Sequence, residues 1–510
     1  MDNMKKSFLL AGLCAAACAN AQNSGQPNVI LLVADDLGYG DISCYGAKRV
    51  STPNVDEVAK QGIVFRDAHA CASTSTPSRF SILTGEYPFR KRGTDVAAGN
   101  AGMIIKPNQF TLADVFKQKG YATAAIGKWH LGLGAKTAAQ DWNGELDQTP
   151  RDLGFDYHYI MAATADRVPC VYIENGKVDN YDPSAPIYVD YRKNFPGEPT
   201  GRNNPELLTK LKSSHGHDFS IVNGIGRIGY MKGGGKALWK DENIADSILS
   251  HAVGFIERNA KKPFFMYLCT NDIHVPRYPS DRFRGKSPMG LRGDAILQFD
   301  WTVGEITKAL NRLGLSDNTL IIITSDNGPV LDDGYQDKAV ELAGDHRPGG
   351  PFRGGKYSAF EAGTSVPFIV KWPKEVKAGG ESKALVSQID FVASMAALVG
   401  ADIPAGASSD SENHLATWLG KKNKSRDFAV EMSASRALQL RTERWKYIKP
   451  SPGEAIISWG PRIETGLSMK PQLYDMKKSK YEIDNEAETH KKLVGKMEKK
   501  LGEIVNKTTK

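Results

Sequence analysis

Two short runs of branched apolar residues, each followed by acidic side chains, most constrain the fold of this chain. Residues 28–34 read NVILLVA and precede Asp35 and Asp36, and residues 319–324 read TLIIIT and end just before Ser325-Asp326. Apolar runs of this length are typical of strands buried on both faces of a parallel sheet. The carboxyl ends of such strands lie at one edge of the sheet, where ligands gather. The pattern predicts an α/β fold with a site at that edge.

Further strand and helix patterns alternate along the first 400 residues. Strands are predicted near residues 122–126 and 264–268. Helices are predicted from Thr52-Pro53 onward, across residues 244–256 and across residues 296–313. Alternation of this kind indicates a large, mostly parallel sheet sandwiched by helices.

The last hundred residues have a different pattern, which follows a loop at residues 400–409 rich in Pro, Gly and Ser. We expect a catalytic α/β domain over residues 22–410 and a smaller C-terminal subdomain over residues 411–510. Predicted elements of that subdomain are antiparallel strands at 428–432, 438–441, 445–448 and 472–475 and an amphipathic helix from 488 to 505.

The N-terminus is typical of a signal peptide covering residues 1–21. A lysine pair at 5–6 precedes an apolar segment at 7–17, and Ala19-Asn20-Ala21 forms a small-residue cleavage site. The apolar segment is too short to span a bilayer, so we expect no membrane span. A lipid anchor on Cys18 is disfavoured because the residues before it match that signal weakly. We therefore expect an exported, periplasmic protein.

Charge and cysteine usage exclude several classes of protein. The net charge of +8 favours anionic partners, but no basic and aromatic cluster indicates nucleic-acid binding. Four cysteines remain outside the predicted signal peptide, and their wide spacing indicates neither a disulfide framework nor a zinc site. We expect mostly free, buried thiols at Cys44, Cys71, Cys170 and Cys269.

Residues 75–79, which read STPSR, are a candidate nucleophile motif. Pro77 suits the first position of a helix, and Gly85 suits its end. Ser75 would then lie at a helix N-terminus, where the amides and the dipole favour an anion. Arg79 follows one turn later, and its guanidinium group can donate two hydrogen bonds to an anion at the same place. Alone, the segment is equally consistent with a capped surface helix.

The two acidic strand ends indicate a metal site. Asp35-Asp36 and Asp326-Asn327 would bring hard oxygen ligands together, and such ligands suit Ca²⁺ or Mg²⁺. Either pair alone is more often a loop cap. Two pairs with a candidate nucleophile between them favour the metal site.

Together, these motifs resemble the formylglycine-dependent type I sulfatases of the alkaline phosphatase superfamily. The resemblance rests on Asp35-Asp36, on residues 75–79, on GKWH at 127–130 and on SDNG at 325–328, and it extends from about Pro27 to the C-terminal region. Ser75 makes the chain similar to the serine-type bacterial members, in which a radical maturase oxidises this serine to formylglycine. Cys71 lies too early for that role, and Ser73 lacks a proline two residues later.

The resemblance implies a set of site residues. It implies one Ca²⁺ per chain, with Asp35, Asp36, Ser75, Asp326 and Asn327 as ligands. The catalytic roles it implies are that Arg79 steadies the hydrated aldehyde, Lys128 and Lys356 bind the sulfate, His274 protonates the leaving sugar oxygen and His130 helps to eliminate sulfate. A pKa near neutrality would suit both histidines.

A separate group of residues is the candidate sugar-binding site. Thr164 falls near a family serine that can touch the sulfate. In similar bacterial carbohydrate sulfatases, an Asp-Arg pair and a downstream histidine bind galacto-configured sugars that carry 6-sulfate. Asp166-Arg167 and either His215 or His217 fit that pattern. The alternative is a surface salt bridge and a loop histidine.

We therefore expect an exo-acting 6-O-sulfatase on galactose or N-acetylgalactosamine of mucin-type or chondroitin-type glycans. The alternatives are a 4-O- or 3-O-sulfatase on galacto-configured sugars, a phosphodiesterase or phosphatase of the same superfamily, and a glycan-binding protein without activity. Formylglycine at Ser75, detected by mass spectrometry, would exclude the last two.

Overall fold

The computed structural model describes residues 25–507. The predicted signal peptide at residues 1–21 therefore lies outside the described residues. Within residues 25–507, no helix combines the length and apolar character needed to cross a membrane.

Strands form one large sheet and one small sheet, and four further strands form two separate two-stranded pairs. In chain order the strands are β1 (Asn28–Ala34), β2 (Ile63–His69), β3 (Ala122–Lys128), β4 (Tyr157–Met161), β5 (Tyr172–Glu174), β6 (Lys177–Val178), β7 (Tyr188–Asp190), β8 (Ile221–Val222), β9 (Ile225–Gly226), β10 (Tyr230–Lys232), β11 (Phe264–Cys269), β12 (Thr319–Ser325), β13 (Phe368–Lys371), β14 (Gly380–Ser387), β15 (Ala429–Met432), β16 (Leu438–Arg441), β17 (Trp445–Ile448) and β18 (Gln472–Asp475).

The large sheet has the strand order β14-β2-β13-β12-β1-β11-β3-β4-β5-β6. Its five central strands, β12, β1, β11, β3 and β4, are parallel, whereas β13 and β5 run antiparallel to their neighbours. Every residue of β1, β3, β11 and β12 is buried, as expected for strands covered on both faces. The predicted mostly parallel sheet is confirmed.

Helices cover the large sheet in two groups. In chain order the helices are α1 (Pro53–Lys60), α2 (Ser75–Thr84), α3 (Leu112–Lys117), α4 (Ile244–Arg258), α5 (Gly290–Arg312), α6 (Phe391–Val399), α7 (Leu415–Trp418) and α8 (Lys491–Asn506). Helices α1 and α4 pack on α5, whereas α2 and α3 pack on α6. Helix α5 begins six residues before the predicted start at residue 296.

The C-terminal part of the chain forms the predicted antiparallel sheet, in the order β15-β16-β17-β18. Helix α8 buries Val494, Met497, Leu501 and Ile504, one apolar stripe at helical spacing, and packs against β17. Its lysine-rich remainder faces solvent, as the amphipathic pattern predicted. The domain boundary predicted near residue 410 falls in the segment between α6 and β15.

The first residue of helix α2 differs from the predicted one. It begins at Ser75 rather than at Pro77, and the preceding Thr74 makes no side-chain cap. Pro77 is accommodated because the first four N–H groups of a helix have no partner within it. Gly85 ends the helix in the left-handed conformation, as predicted. All ten residues of α2 are buried, which excludes the alternative of a capped surface helix.

The four cysteines among the described residues are free, and all but the half-buried Cys44 are buried. This confirms the expected cysteine state.

Candidate active site

The candidate site lies at the carboxyl edge of the five central parallel strands. Strand β1 leads to Asp35 and Asp36, β12 to Asp326, β3 to Lys128 and β11 to His274. Since the strands are parallel neighbours, their carboxyl ends bring these side chains together from distant parts of the sequence.

Ser75, the first residue of α2, is placed among the charged groups at this edge. Its hydroxyl donates to Asp326, and the Lys128 ammonium donates to Ser75 Oγ over 2.6 Å. Oxygens of Asp35 and Asn327 lie 3.5 and 3.4 Å from Ser75 Oγ. The predicted nucleophile therefore lies among the predicted metal ligands.

Arg79 lies one helical turn after Ser75 and points towards the same group. Its Nε and Nη2 atoms donate to Asp326 Oδ2 over 3.1 and 2.8 Å. Burial disfavours a charge on Asp326, but Arg79 and Lys128 outweigh it and hold the pKa of Asp326 well below its usual range. The structure thus places Arg79 on a predicted metal ligand.

The acidic residues fit a hard divalent cation. Asp35, Asp36, Asp326 and Asn327 are all fully buried, and Asp35 Oδ2 has no hydrogen-bond partner. Burial raises the pKa of Asp35 well above its usual value, and the neighbouring Asp326 and Asp36 add to that rise although Lys128 opposes it. A bound cation would relieve this crowding, and carboxylate and amide oxygens are the ligands that Ca²⁺ prefers.

Lys356 contacts the acidic group through Asp36. Its Nζ donates to Asp36 and Asp333 over 2.8 Å each and lies 3.2 Å from His274 Nε2. Burial disfavours its charge, but Asp333 and Asp36 raise the pKa of Lys356 well above its usual value. Lys356 is therefore a permanent cation in the site. Asp333 was missed from the sequence because its place in the site depends on contacts with Lys356 and Tyr357, which lie 23 and 24 residues away along the chain.

His274 presents one ring nitrogen to the site. Its Nδ1 donates to the Val275 carbonyl over 2.6 Å, so Nε2 is the acceptor of the Lys356 hydrogen bond. Burial, reinforced by Lys356, lowers the pKa of His274 well below its usual value. An acid or base role near neutral pH therefore stays a prediction for His274.

His130 also has one free ring nitrogen. Its Nε2 donates to the Ala97 carbonyl over 2.9 Å, which leaves the buried Nδ1 unprotonated and without a partner. Burial, and after it Lys128, lowers the pKa of His130 well below its usual value. His130 is a neutral base in the pocket wall.

The predicted sugar-binding residues form one hydrogen-bonded group. Asp166 accepts from Thr164, from Arg167 over 3.0 Å and from His217 Nε2 over 3.0 Å. Burial disfavours its charge, but Arg167 outweighs it and lowers the pKa of Asp166 well below its usual value. These contacts exclude the alternative of a surface salt bridge with an unrelated loop histidine. Thr164 lies behind Asp166 and Arg167 and does not line the pocket.

The structure distinguishes the two loop histidines. His217 is buried against Asp166, whereas His215 is half-buried and its ring packs against Trp459, with centroids 5.7 Å apart. Both line the pocket. Trp459 was missed from the sequence, because nothing local shows that a C-terminal segment returns to the catalytic residues.

These groups enclose one cavity of about 330 Å³. Ser75, His130, His274 and Lys356 line it, together with Asp166, Arg167, His215, His217, Asp333, Tyr357 and Trp459. Small-molecule sites range from about 300 to 1,000 Å³, so this cavity lies near the lower limit and is of a size for a ligand of one ring. The cationic and neutral donors suit an anionic ester bound next to Ser75.

Comparison with protein families gives two matches that together cover nearly all of the described chain. Residues 27–401 match the family model described as Sulfatase. Residues 355–507 match the model described as N-sulphoglucosamine sulphohydrolase, C-terminal.

Individual proteins are similar over most of the chain. The N-acetylgalactosamine-6-O-sulfatase of Bacteroides thetaiotaomicron is 51% identical over 485 residues, which cover 95% of this chain and 94% of the relative. The human N-acetylgalactosamine-6-sulfatase is 31% identical over 404 residues, 77% of this chain and 66% of the relative. A solved structure described under the metabolism of multiple glycosaminoglycans by Bacteroides thetaiotaomicron matches with a TM-score of 0.93 at 50% identity, covering 95% of this chain and all of that one.

Proposed function

Since this chain belongs to the sulfatase family, we propose that it hydrolyses 6-O-sulfate esters at the non-reducing ends of glycans, on galactose or N-acetylgalactosamine. The observation that carries this proposal is the joining of two groups in one cavity: Ser75 with its cations and carboxylates, and Asp166 with Arg167 and His217. The similarity to an N-acetylgalactosamine-6-O-sulfatase supports the same substrate class, of mucin or chondroitin type.

We propose that Ser75 is oxidised to formylglycine by a radical maturase before export to the periplasm. The hydrated aldehyde would supply two hydroxyls, one to attack sulfur and one to expel sulfate. Lys128 Nζ, 2.6 Å from Ser75 Oγ, is placed to stabilise negative charge on the oxygen at this position.

Asp35, Asp36, Asp326 and Asn327 would hold one Ca²⁺ beside Ser75. Bound there, the ion would neutralise the sulfate and favour the deprotonated form of the attacking hydroxyl. Arg79 fixes Asp326 by two hydrogen bonds to one oxygen, which keeps that carboxylate in place.

The two histidines divide the proton transfers. An anionic sulfate ester in the cavity favours the protonated ring and raises the pKa of His274 toward neutrality. His274 Nε2, which accepts a hydrogen bond from Lys356 in this structure, must first take up a proton and give up that bond. The protonated ring would then deliver this proton to the departing sugar oxygen. His130, with its free Nδ1, takes the proton released when sulfate is expelled.

Asp166, Arg167 and His217 are proposed to select the sugar. A buried carboxylate beside a guanidinium offers an acceptor and donors to neighbouring hydroxyls, of which the axial O4 distinguishes galacto from gluco sugars. A site built to bind one hydroxyl leaves buried polar groups unpaired when that hydroxyl points elsewhere, which costs orders of magnitude in rate.

The test is a panel of monosulfated sugars that differ in epimer and in sulfate position, with released sulfate measured by chromatography. We expect 6-sulfated galactose or N-acetylgalactosamine to be cleaved at a kcat/KM at least ~100-fold above the 6-sulfated gluco epimer. Preference for the gluco epimer would contradict the sugar assignment. Preference for 4- or 3-sulfate would contradict the position, and cleavage of phosphate esters alone would contradict the sulfatase assignment.

The variant Arg167→Ala tests the proposed role of Arg167 in sugar selection. We expect it to lower kcat/KM for the sulfated sugar far more than for a small aryl sulfate, which lacks the sugar hydroxyls. Arg202→Ala is the matched control, because Arg202 forms an exposed salt bridge with Asp218 in the same region and does not line the cavity. Equal losses on both substrates would contradict a role of Arg167 in sugar selection.

A further inference from the structure

We propose that Trp459 forms a second sugar subsite at the mouth of the cavity, where its indole ring packs against the sugar linked to the sulfated one. This inference rests on the proposed function and extends it: the preferred substrate is an oligosaccharide end rather than a free monosaccharide. Nothing in the proposed chemistry at Ser75 requires this residue.

Trp459 is carried by a hairpin of the C-terminal part of the chain, residues 451–468, here called the rim hairpin. Backbone bridges join Ser451 to Ser468 and Ile456 to Glu464, so the segment has paired, extended arms. Trp459 lies between these arms, near the tip.

The rim hairpin is fixed to the loop that carries Lys356 and Tyr357. Ser358 Oγ donates to the carbonyl of Glu464 over 2.6 Å, and the amide of Ala359 donates to the carbonyl of Thr465 over 2.7 Å. Arg353 Nε donates to the Glu464 carboxylate over 2.8 Å. These bonds hold the hairpin at a set distance from the catalytic lysine, so Trp459 stands at a defined place above the cavity.

The ring of Trp459 has two aromatic neighbours and remains largely open to solvent. Its centroid lies 5.7 Å from that of His215 and 5.8 Å from that of Tyr357, in edge-type contacts that orient the indole. Nevertheless Trp459 is 58% exposed, which is unusual for so large an apolar residue. An oriented, exposed aromatic ring at the mouth of a pocket is typical of a ligand-binding surface.

The cavity and its mouth differ in chemistry. Its inner part is polar, with Lys356, Asp166 and Arg167, whereas the exposed Trp459 and Val96 are apolar groups of its lining. Sugars have both characters, since their hydroxyl edges are polar and their C–H faces are apolar. At about 330 Å³ the cavity suits one sulfated ring, so the next ring in the glycan lies at the mouth.

The experiment compares two substrates in the wild type and in Trp459→Ala. The substrates are 6-sulfated N-acetylgalactosamine and an oligosaccharide with the same sulfated sugar at its non-reducing end. We expect Trp459→Ala to lower kcat/KM for the oligosaccharide by about 10-fold or more (about 1.4 kcal/mol), chiefly through KM. The monosaccharide should stay within about twofold of wild type, because only the oligosaccharide has a second sugar that can pack on the indole. Trp459→Phe should recover most of the loss, because it keeps an aromatic face.

The controls separate this inference from a structural role and from the proposed function. Ile456→Ala alters another exposed apolar residue of the rim hairpin that does not line the cavity, and we expect no change on either substrate. Equal losses on both substrates, or none on either, would overturn the second subsite. If the wild type cleaves no 6-sulfated galacto sugar, the proposed function fails. The second subsite is then tested on whichever sulfated sugar the panel shows to be cleaved, by comparing the loss of kcat/KM in Trp459→Ala on that monosaccharide with the loss on an oligosaccharide that ends in it.

Discussion

At the scale of single residues, the site depends on Ser75 being surrounded by charge without being exposed. Lys128, Asp326 and the oxygens of Asp35 and Asn327 all lie within 3.5 Å of its hydroxyl. This setting fits the proposed oxidation of Ser75 and its proposed role as the nucleophile. Its hydroxyl contributes little to packing, because it is small and lies at the cavity.

We predict that Ser75→Ala abolishes sulfate release and leaves the fold intact. Only the oxygen at the reacting position is lost, so the melting temperature should stay close to that of the wild type while kcat falls below detection. The wild-type peptide containing residue 75 should be two hydrogen atoms lighter than its serine form by mass spectrometry. Ser81→Ala is the control, since Ser81 lies in the same helix and its hydroxyl donates to the Glu86 carbonyl over 2.9 Å. Substantial activity in Ser75→Ala would disprove the nucleophile.

The second prediction concerns the metal. Asp326→Asn removes one charge from a buried group of three carboxylates, and we expect bound Ca²⁺ and activity to be lost together, both below a tenth of the wild-type value. Elemental analysis and a sulfate-release assay measure the two losses. Asp337→Asn is the matched control, because Asp337 is a buried carboxylate that forms a salt bridge with Arg277 over 2.6 Å and lies outside the acidic group. Full activity of the wild type after exhaustive chelation, with no metal detected, would contradict the metal assignment.

At the scale of elements, strand β3 delivers Lys128 and His130 through a close backbone contact. A Cβ at Gly127 would lie 1.8 Å from the carbonyl oxygen of Cys269, in the neighbouring strand β11, and Gly127 has a φ of +94°. Both the space and the backbone conformation therefore require glycine here. The motif GKWH owes its glycine to this packing between strands.

We predict that Gly127→Ala lowers the free energy of unfolding by several kcal/mol and lowers activity as well. The added methyl group must push β3 and β11 apart, which displaces Lys128 from Ser75. Urea denaturation and the sulfate-release assay measure the two effects. Gly120→Ala is the control, because Gly120 also has a positive φ, of +76°, but no atom lies within 4 Å of its Cβ position. Only the backbone strain of about 1–2 kcal/mol should appear there, and equal effects of the two variants would contradict the steric explanation.

At the scale of the whole molecule, a buried ionic cluster joins the large sheet to the C-terminal sheet. Glu361 accepts from Arg441 over 3.1 Å and from Lys446 over 3.0 Å, and His69 of β2 lies 2.8 Å from Glu431 of β15. Removing one partner of such a cluster leaves a buried charge uncompensated, which is strongly destabilising. The cluster therefore couples the two sheets energetically.

This cluster gives a pH dependence with a defined sign. Burial, and after it Glu361, raises the pKa of Glu482 to about 8 although Lys446 opposes the rise, and Glu361 and Glu431 overcome burial to raise the pKa of His69 to about 10. Both groups bind more protons folded than unfolded, so stability falls as pH rises. The Glu482 contribution is complete below its unfolded pKa of about 4.5 and is lost by about pH 8, whereas that of His69 is lost between about pH 6.5 and 10.

We therefore predict that the melting temperature decreases from pH 6 to pH 9. Glu482→Gln resembles the protonated carboxyl, so the decrease between pH 6 and 8 should become shallower, while the decrease above pH 8 should remain. Differential scanning calorimetry in buffers of equal ionic strength measures both slopes. Glu488→Gln, on the exposed surface, should leave the profile unchanged. An unaltered slope in Glu482→Gln would disprove the assignment to this residue.

Much of the fold and of the catalytic set is determined by the sequence itself. The runs at 28–34 and 319–324 are continuous and apolar because parallel strands are buried on both faces, and the acidic residues directly after them necessarily lie at one edge of the sheet. The helix-start signals around Ser75 make it a candidate nucleophile, and the resemblance to a family adds Lys128 and Lys356. Each of these signals is local, so it can be read from neighbouring residues.

Only the tertiary structure decides what depends on contacts between distant segments. It shows that His217 bonds to Asp166, that Asp333 pairs with Lys356, and that the rim hairpin brings Trp459 to the cavity. It also shows that His130 and His274 lie in a desolvated setting that lowers their pKa. The physical reason is that burial and charge act through space, and the groups that set them come from strands and loops far apart along the chain.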